Sequence, residues 1–283
     1  MFKTIANRVW AFDAEWVPDP AAGRLLYHVP EDTPDEQVLQ VMWQQGGATK
    51  EDPTPYLKTV LCRIVSVAVV DRQVLPDGKI SLHLLSLPRD VQDPGQTAES
   101  HVVGTFLHKV GQYRPQLVGF NSASADLKAM IQRAVVLGLA APEFCKRPDK
   151  PWEGPDYFDS RHSEASIDLK EVIGGWGKAT PSLHEIATLS GIPGKMEVEG
   201  EQVAGLWLAG KLAKIVAYNE CDALTTYLVW LRVAHFAGHF SSEQYEQEQE
   251  DVRELLKQEA RENGKHHLQD YLAEWERLTA LVK

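Results

Sequence analysis

Val9-Trp10-Ala11-Phe12-Asp13-Ala14-Glu15-Trp16, entered through Arg8, is the stretch on which the fold turns. Four apolar residues run into an Asp-x-Glu, the pattern of a core strand that ends in charge. Side chains two apart on a strand share a face, so Asp13 and Glu15 point at one spot. Two carboxylates directed inward from a core strand are costly unless something positive sits between them. By itself, an Asp-x-Glu at an exposed strand end is common and carries no function.

Working outward, residues 63–70 and 80–87 read as two more strands around a turn at Pro76-Asp77-Gly78, an opening meander. Between the first two strands, residues 18–58 are rich in Pro, Asp, Glu, Gly and Gln and read as a long excursion, mobile in part. Residues 98–113 read as a helix, 116–120 as a strand, 126–138 as a helix and 166–169 as a short strand. Strands first, then alternating helix and strand, predict an α/β layer fold with a mixed sheet. Beyond Pro181 the pattern is helical: 182–191, a long amphipathic 211–236, then 243–263 and 268–281, with Gly238 and Gly264 where helices should stop. We assign residues 1–240 to one domain and 241–283 to a helical extension packed on it.

Composition narrows the class. At 283 residues and 43% hydrophobic the chain can bury a full core. No apolar run approaches the roughly 20 residues that a membrane-spanning helix needs. Met1-Phe2-Lys3-Thr4 lacks the layout of a signal peptide, so a cytoplasmic protein is expected. Cys62, Cys145 and Cys221 are scattered, without a CxxC, which argues against a disulfide framework and a zinc knuckle. The formal charge of -11 argues against steering a polyanion. Part of that acidity, however, is the run Glu243, Glu246, Glu248, Glu250 and Asp251, the solvated face of a helix. Divalent cations would also offset a carboxylate cluster locally, so net charge is a weak veto.

Two further segments carry chemistry. In Gly119-Phe120-Asn121-Ser122-Ala123-Ser124-Ala125-Asp126 a strand empties into a polar loop and a helix begins. The bland reading is capping, with Ser124 as N-cap and Asp126 in the first turn. In Tyr218-Asn219-Glu220-Cys221-Asp222 the spacing puts Tyr218 and Asp222 one turn apart on one helix face, which alone would be a surface hydrogen bond. Together the three segments bring acids from two strand-associated positions and one helix, and such acids converge around a cation.

In order and spacing these segments resemble the three exonuclease motifs of the DEDD superfamily, in its tyrosine subgroup. The histidine subgroup keeps a histidine five residues before the last aspartate, where this chain has Ala217. Ile167-Asp168-Leu169, Ser182-Leu183, Gly191-Ile192-Pro193-Gly194-Lys195 and residues 218–232 are similar to stand-alone bacterial proteins related to the proofreading domain of B-family DNA polymerases. That similarity spans most of residues 9–232, and weakly the helical tail. It implies a ribonuclease H-like fold, a mixed five-stranded sheet flanked by helices, here with a helical C-terminal extension. It also implies a 3′–5′ exonuclease with two ions, Mg²⁺ or Mn²⁺. Asp13 would bridge them, Glu15 and Asp222 would hold the ion that activates water, and Asp126 would help to hold the second. Tyr218 would orient the water, since a hydroxyl with a pKa near 10 suits positioning better than proton abstraction. One departure is Ala125, where the related proteins tend to carry an aromatic.

Asn121, Phe120 and Lys195 are the substrate-binding candidates. Asn121 reads equally as a turn former, and Lys195, like Lys211 and Lys214, equally as a surface lysine. Phe120, Trp16 and Trp176 are candidates for stacking a base. Asp168 either joins the metal-binding carboxylates from behind or ends a strand. The expected partner is single-stranded nucleic acid, DNA favoured over RNA, with a link to replication or repair proteins left open. The competing readings are a 3′–5′ exoribonuclease, which the same acids would serve, and a catalytically silent nucleic-acid-binding module, which the full set of acids disfavours.

Overall fold

The computed structural model describes residues 1–150, 152–159, 162–196 and 202–282. One mixed sheet contains β1 (Arg8–Pro18), β2 (Cys62–Val74), β3 (Ile80–Leu87), β4 (Gln116–Gly119) and β5 (Ser166–Asp168), in the order β3-β2-β1-β4-β5. The first three strands are an antiparallel meander, and β4 and β5 run parallel to β1. This is the mixed five-stranded sheet flanked by helices that the resemblance implies. The helices are α1 (Pro20–Tyr27), α2 (Asp35–Gln45), α3 (Pro94–Thr97), α4 (Glu99–Tyr113), α5 (Asp126–Val136), α6 (Pro142–Cys145), α7 (Leu169–Ile173), α8 (Leu183–Leu189), α9 (Val203–Leu208), α10 (Leu212–Phe236), α11 (Ser242–Glu262) and α12 (His267–Leu281). Among the described residues no helix is long and apolar enough to cross a membrane.

The two faces of β1 are covered differently, and its period of two decides which residue goes where. Val9 and Ala11 join the core under α10, with Leu224, Tyr227 and Leu228. Trp10, Phe12 and Ala14 join the core under α4 and α5, with Phe106, Leu107 and Met130. A strand covered on both faces must be apolar on both, which is why residues 9–12 are a continuous run. The C-terminal helices share the α10 core through Val252, Leu256, Leu268, Tyr271 and Trp275. Polar ties add to this packing. Arg72 of β2 donates to Glu248 of α11 at 2.7 Å, and Glu220 of α10 is held by Lys265 at 2.9 Å, His267 at 2.8 Å and Ser86 at 2.7 Å.

Residues 18–58 correct the sequence expectation in part: residues 20–45 fold into the paired helices α1 and α2, while residues 46–58 form no helix or strand. Val38, Leu39 and Met42 make a buried helical stripe against Leu57 and Cys62. The exposed polar residues outnumber this short stripe, so average composition hid it. A single arginine fixes the hairpin to the domain. Arg133 of α5 donates to Asp19 at 2.7 Å and to Glu99 of α4 at 2.8 and 2.6 Å, and Glu99 also accepts the Ile64 N–H of β2 at 2.8 Å.

Removing one partner of a buried pair leaves an uncompensated charge, at a cost of about 3 to 5 kcal/mol. Arg133→Met strands two carboxylates at once, so a loss in that range is expected from urea unfolding at unchanged m. A loss below about 1 kcal/mol would show that this pairing does not hold the hairpin.

Candidate active site

β1 is longer than its parallel neighbour. Ala11 and Val118 are the last registered pair between β1 and β4, so from Phe12 onward this edge of β1 has no strand beside it. Asp13 and Glu15 sit on the overhang, at the carboxyl ends of the parallel strands, where open α/β sheets bind ligands. By alternation both face α10. The contact is direct: Asn219 Nδ2 donates to Asp13 Oδ2 at 2.7 Å, and Ser66 Oγ of β2 donates to Asn219 Oδ1 at 3.0 Å. Asn219, fully buried, therefore fastens α10 across β1 and β2. Its neighbours Tyr218 and Asp222 are brought to the same recess.

Asp13, Glu15 and Asp222 each present a carboxylate oxygen, and these atoms lie within 4.8 Å of one another. The Tyr218 hydroxyl lies close enough to Asp222 to oppose the rise in its pKa. Asp126 arrives from the other side, as the first residue of α5, and stands outside that 4.8 Å set. The capping reading holds for Asp126, which lies in the first turn of α5, and fails for Ser124, because the N-cap residue is Ala125 and no side chain caps the helix. The Asp126 carboxylate lies beside its own N–H and that of Ala14, both of which oppose the rise in its pKa.

The loop that delivers Asp126 is fixed by Asp168. Its carboxylate accepts the N–H groups of Asn121 at 2.8 Å and Ala123 at 3.0 Å, and caps α7 through the Lys170 N–H at 3.0 Å. Gly119 is required at the start of the loop, since a Cβ there would lie 2.3 Å from the Ser122 Cβ. Asn121 has a left-handed backbone, φ 66°, and its Oδ1 accepts from Lys170 Nζ at 3.1 Å. Phe120 packs at the edge of the α10 core and shares a groove with Asn121, Lys170 and Leu183. Lys195 is exposed, with its N–H donated to His184 Nδ1 at 2.9 Å. Gly194 permits that approach, because a Cβ there would sit 2.2 Å from the same nitrogen.

Lys211 is exposed at the start of α10, and Lys214 lines a cavity of about 240 Å³ beside Tyr218 with His267 and Asp270. Trp16 is half-buried, whereas Trp176 is 95% exposed. Sequence reasoning did not single out Asn219. A signal existed: an amide on the strand-facing side of an apolar helix needs a polar partner.

Burial and mutual repulsion raise the carboxyl groups together. Asp13 is held well above the usual range by burial, then by Asp126, Asp222 and Glu15, against the opposing Asn219 hydrogen bond. Glu15 is raised likewise by burial, Asp222 and Asp126, and only Lys195 opposes. Burial takes Asp126 to about 7 despite its two N–H donors, and Asp222 to about 6 despite Tyr218 and Lys195. The Tyr218 hydroxyl is pushed upward by burial and by Asp222 and Glu15, so it stays protonated.

A carboxyl whose native pKa exceeds its unfolded value binds more protons when folded, so its contribution to stability is complete below the unfolded value and is lost as pH rises through the folded one. In metal-free buffer the melting temperature is therefore expected to fall between about pH 4 and pH 8. Glu15→Gln and Asp13→Asn should melt higher than the wild type at about pH 8 and converge with it at about pH 4. Parallel pH profiles for all three proteins, followed by thermal melts with a chelator present, would show that the acids are not in conflict.

No curated protein matches the sequence. Among solved structures, the family B DNA polymerase from the hyperthermophilic archaeon Pyrobaculum calidifontis is similar at 17% identity and a TM-score of 0.44, over 80% of this chain and 25% of that one. The chain thus spans about a quarter of that polymerase's length. A family model described as a predicted 3′–5′ exonuclease related to the exonuclease domain of PolB matches residues 54–275. Asp126, Asp168, Tyr218 and Asp222 fall inside the match; Asp13 and Glu15 precede it and reach the same recess through β1. With most of its length matched, the chain belongs to this family of predicted 3′–5′ exonucleases related to the PolB exonuclease domain.

Proposed function

We propose that the protein hydrolyses phosphodiester bonds from the 3′ end of single-stranded DNA, using two divalent cations, Mg²⁺ or Mn²⁺, held by Asp13, Glu15, Asp126 and Asp222. The observation that carries this is the convergence of three carboxylate oxygens within 4.8 Å, with Tyr218 beside one of them. The donor set fits such ions, because it is all oxygen and lacks a soft ligand, and hard cations prefer carboxylates. Bound there, the cations would act as Lewis acids toward the phosphoryl group and make a water a better nucleophile.

The chain's own residues supply position and protons. Tyr218, kept protonated beside Asp222, would align a water without removing its proton. Asn219 holds Asp13 in one orientation, and Asp168 sets the loop from which Asp126 projects. Lys195, close enough to lower Glu15 and Asp222, offers a cation to a substrate phosphate. The preference for a single strand follows from the relation to the PolB exonuclease domain. A paired end must first be unstacked, at about 1 to 2 kcal/mol per step.

The test is digestion of 5′-labelled single-stranded DNA and RNA with and without Mg²⁺, read as a ladder of shortened products. Faster cleavage of RNA, or shortening from the 5′ end alone, would overturn the assignment. Tyr218→Phe removes one oxygen and keeps the ring, so single-turnover cleavage is expected to slow about 10- to 1000-fold while Mn²⁺ affinity by calorimetry stays near the wild-type value. Asp222→Asn should weaken both. An unchanged rate for Tyr218→Phe would make that hydroxyl merely structural.

A further inference from the structure

The sheet carries a second concavity, on the face that the acidic recess does not use. α4 packs over β1 and β2 through Val102, Phe106 and Leu107, and leaves Leu85 and Leu87 of β3 only half-buried. With Val69 and Val67, their partners in the β2–β3 ladder, these leucines floor a cavity of about 560 Å³. Trp10 lines it too, so by alternation it lies across β1 from Asp13 and Glu15. The indole N–H of Trp10 has no acceptor among the described residues. Around the floor stand His101 and Lys109 of α4, Arg89 after β3, and Arg8, which is bound to Asp71 at 2.9 Å. Among the described residues no Asp or Glu lines the cavity, in a chain whose acids number 40 against 29 Lys and Arg. Lys109 donates to Gln112 at 3.0 Å, and neither Lys109 nor Arg89 enters an ion pair among the described residues.

An apolar floor under a cationic rim complements a ligand that is apolar on one side and anionic on the other. His101 and Lys109 are separated by about 12 Å along α4, at about 1.5 Å per residue. One small anion does not span that distance. An extended peptide covers it in about four residues and sends alternate side chains to opposite sides. A nucleic acid would instead need open aromatic faces on which to stack its bases. Trp10 and Phe106 are buried, and the exposed ring of Tyr113 is covered by Arg8 at 4.0 Å and Lys109 at 5.3 Å from its centroid. From this complementarity we infer that the groove binds an extended acidic peptide of a partner protein. Its apolar side chains lie on Val67, Val69, Leu85 and Leu87, and its carboxylates meet Arg89 and Lys109. The inference stands apart from the nuclease reading, and peptide and substrate occupy opposite faces of β1.

The test is fluorescence anisotropy of a short fluorescein-labelled peptide alternating aspartate with leucine, titrated with the full chain. Binding with a Kd below about 1 mM is expected, weakening as salt is added. Replacing the aspartates by lysine, or the leucines by serine, should each weaken it roughly tenfold or more. The double variant Arg89→Glu, Lys109→Glu should lose affinity by a similar factor at an unchanged melting temperature, since neither side chain is part of an ion pair. Leu85→Ser should weaken binding from the floor. Equal affinity for the three peptides, wild-type affinity in the double variant, or no binding at about 1 mM would each overturn the inference. A labelled single-stranded oligonucleotide that competes with the peptide on the wild type, and loses affinity in the double variant, would assign the groove to nucleic acid instead. Because anisotropy reads no turnover, these outcomes hold whether or not the protein cleaves DNA.

Discussion

Burial of the Asp13, Glu15, Asp126 and Asp222 carboxyls is the constraint around which the rest of this structure is arranged. Repulsion adds to it at Asp13, Glu15 and Asp126, since charges that water would screen interact here at lower effective dielectric. The surrounding chain offers partial relief. Asn219 donates to Asp13, Tyr218 lies beside Asp222, two backbone N–H groups lie beside Asp126, and Lys195 faces Glu15 and Asp222. A hydrogen bond to a charged group contributes about 1.5 to 3 kcal/mol. Even so, the four acids remain above their usual range. A recess that resists ionisation has to be held by elements with no stake in it. The long, almost wholly buried α10 and the ion pairs of α11 and α12 supply that hold.

Geometry does the gathering. Because β4 stops at Gly119 while β1 continues to Pro18, the overhang exposes one strand edge to α5 and one face to α10. Asp126 can then meet a backbone N–H of β1 while Asp13 and Glu15 meet α10. Shortening β1 or extending β4 would separate the two sides of the site. Asp168, registered against Gly119 at the end of β5, converts the adjacent strand end into an anchor for the loop before Asp126.

What was legible in the sequence follows from periodicity. Asp13 and Glu15 on one strand face, and Tyr218 and Asp222 one helical turn apart, are local facts that survive folding unchanged. The same holds for the strands of the sheet and the long helices, each carried by an apolar run or stripe. The hairpin within residues 18–58 escaped because its buried stripe is only Val38, Leu39 and Met42 in a polar setting. Asp168 ends a strand, one of its two expected readings, but its hold on Asn121 and Ala123, and the hold of Asn219 on Ser66 and Asp13, were not legible because these partners are distant along the chain.

Comparison with the other buried acids of the chain argues most directly for a cation. Among the described residues, Asp19 and Glu99 share Arg133, Asp71 has Arg8, Asp156 has Arg147, Glu248 has Arg72, and Glu220 has Lys265 and His267. Asp168 lacks a cation but accepts three N–H groups. Glu220 and Asp222 make the contrast within a single turn of α10. Glu220 is buried and Asp222 half-buried, yet Glu220 is lowered by His267, Lys265 and Ser86 against its burial whereas Asp222 is raised. The fold therefore pairs its buried carboxylates wherever they serve structure and leaves them short of positive charge in the recess alone. Filling that deficit with arginine would have stabilised the protein, and it would also have occupied the position where a phosphate and its proposed metal ions must meet.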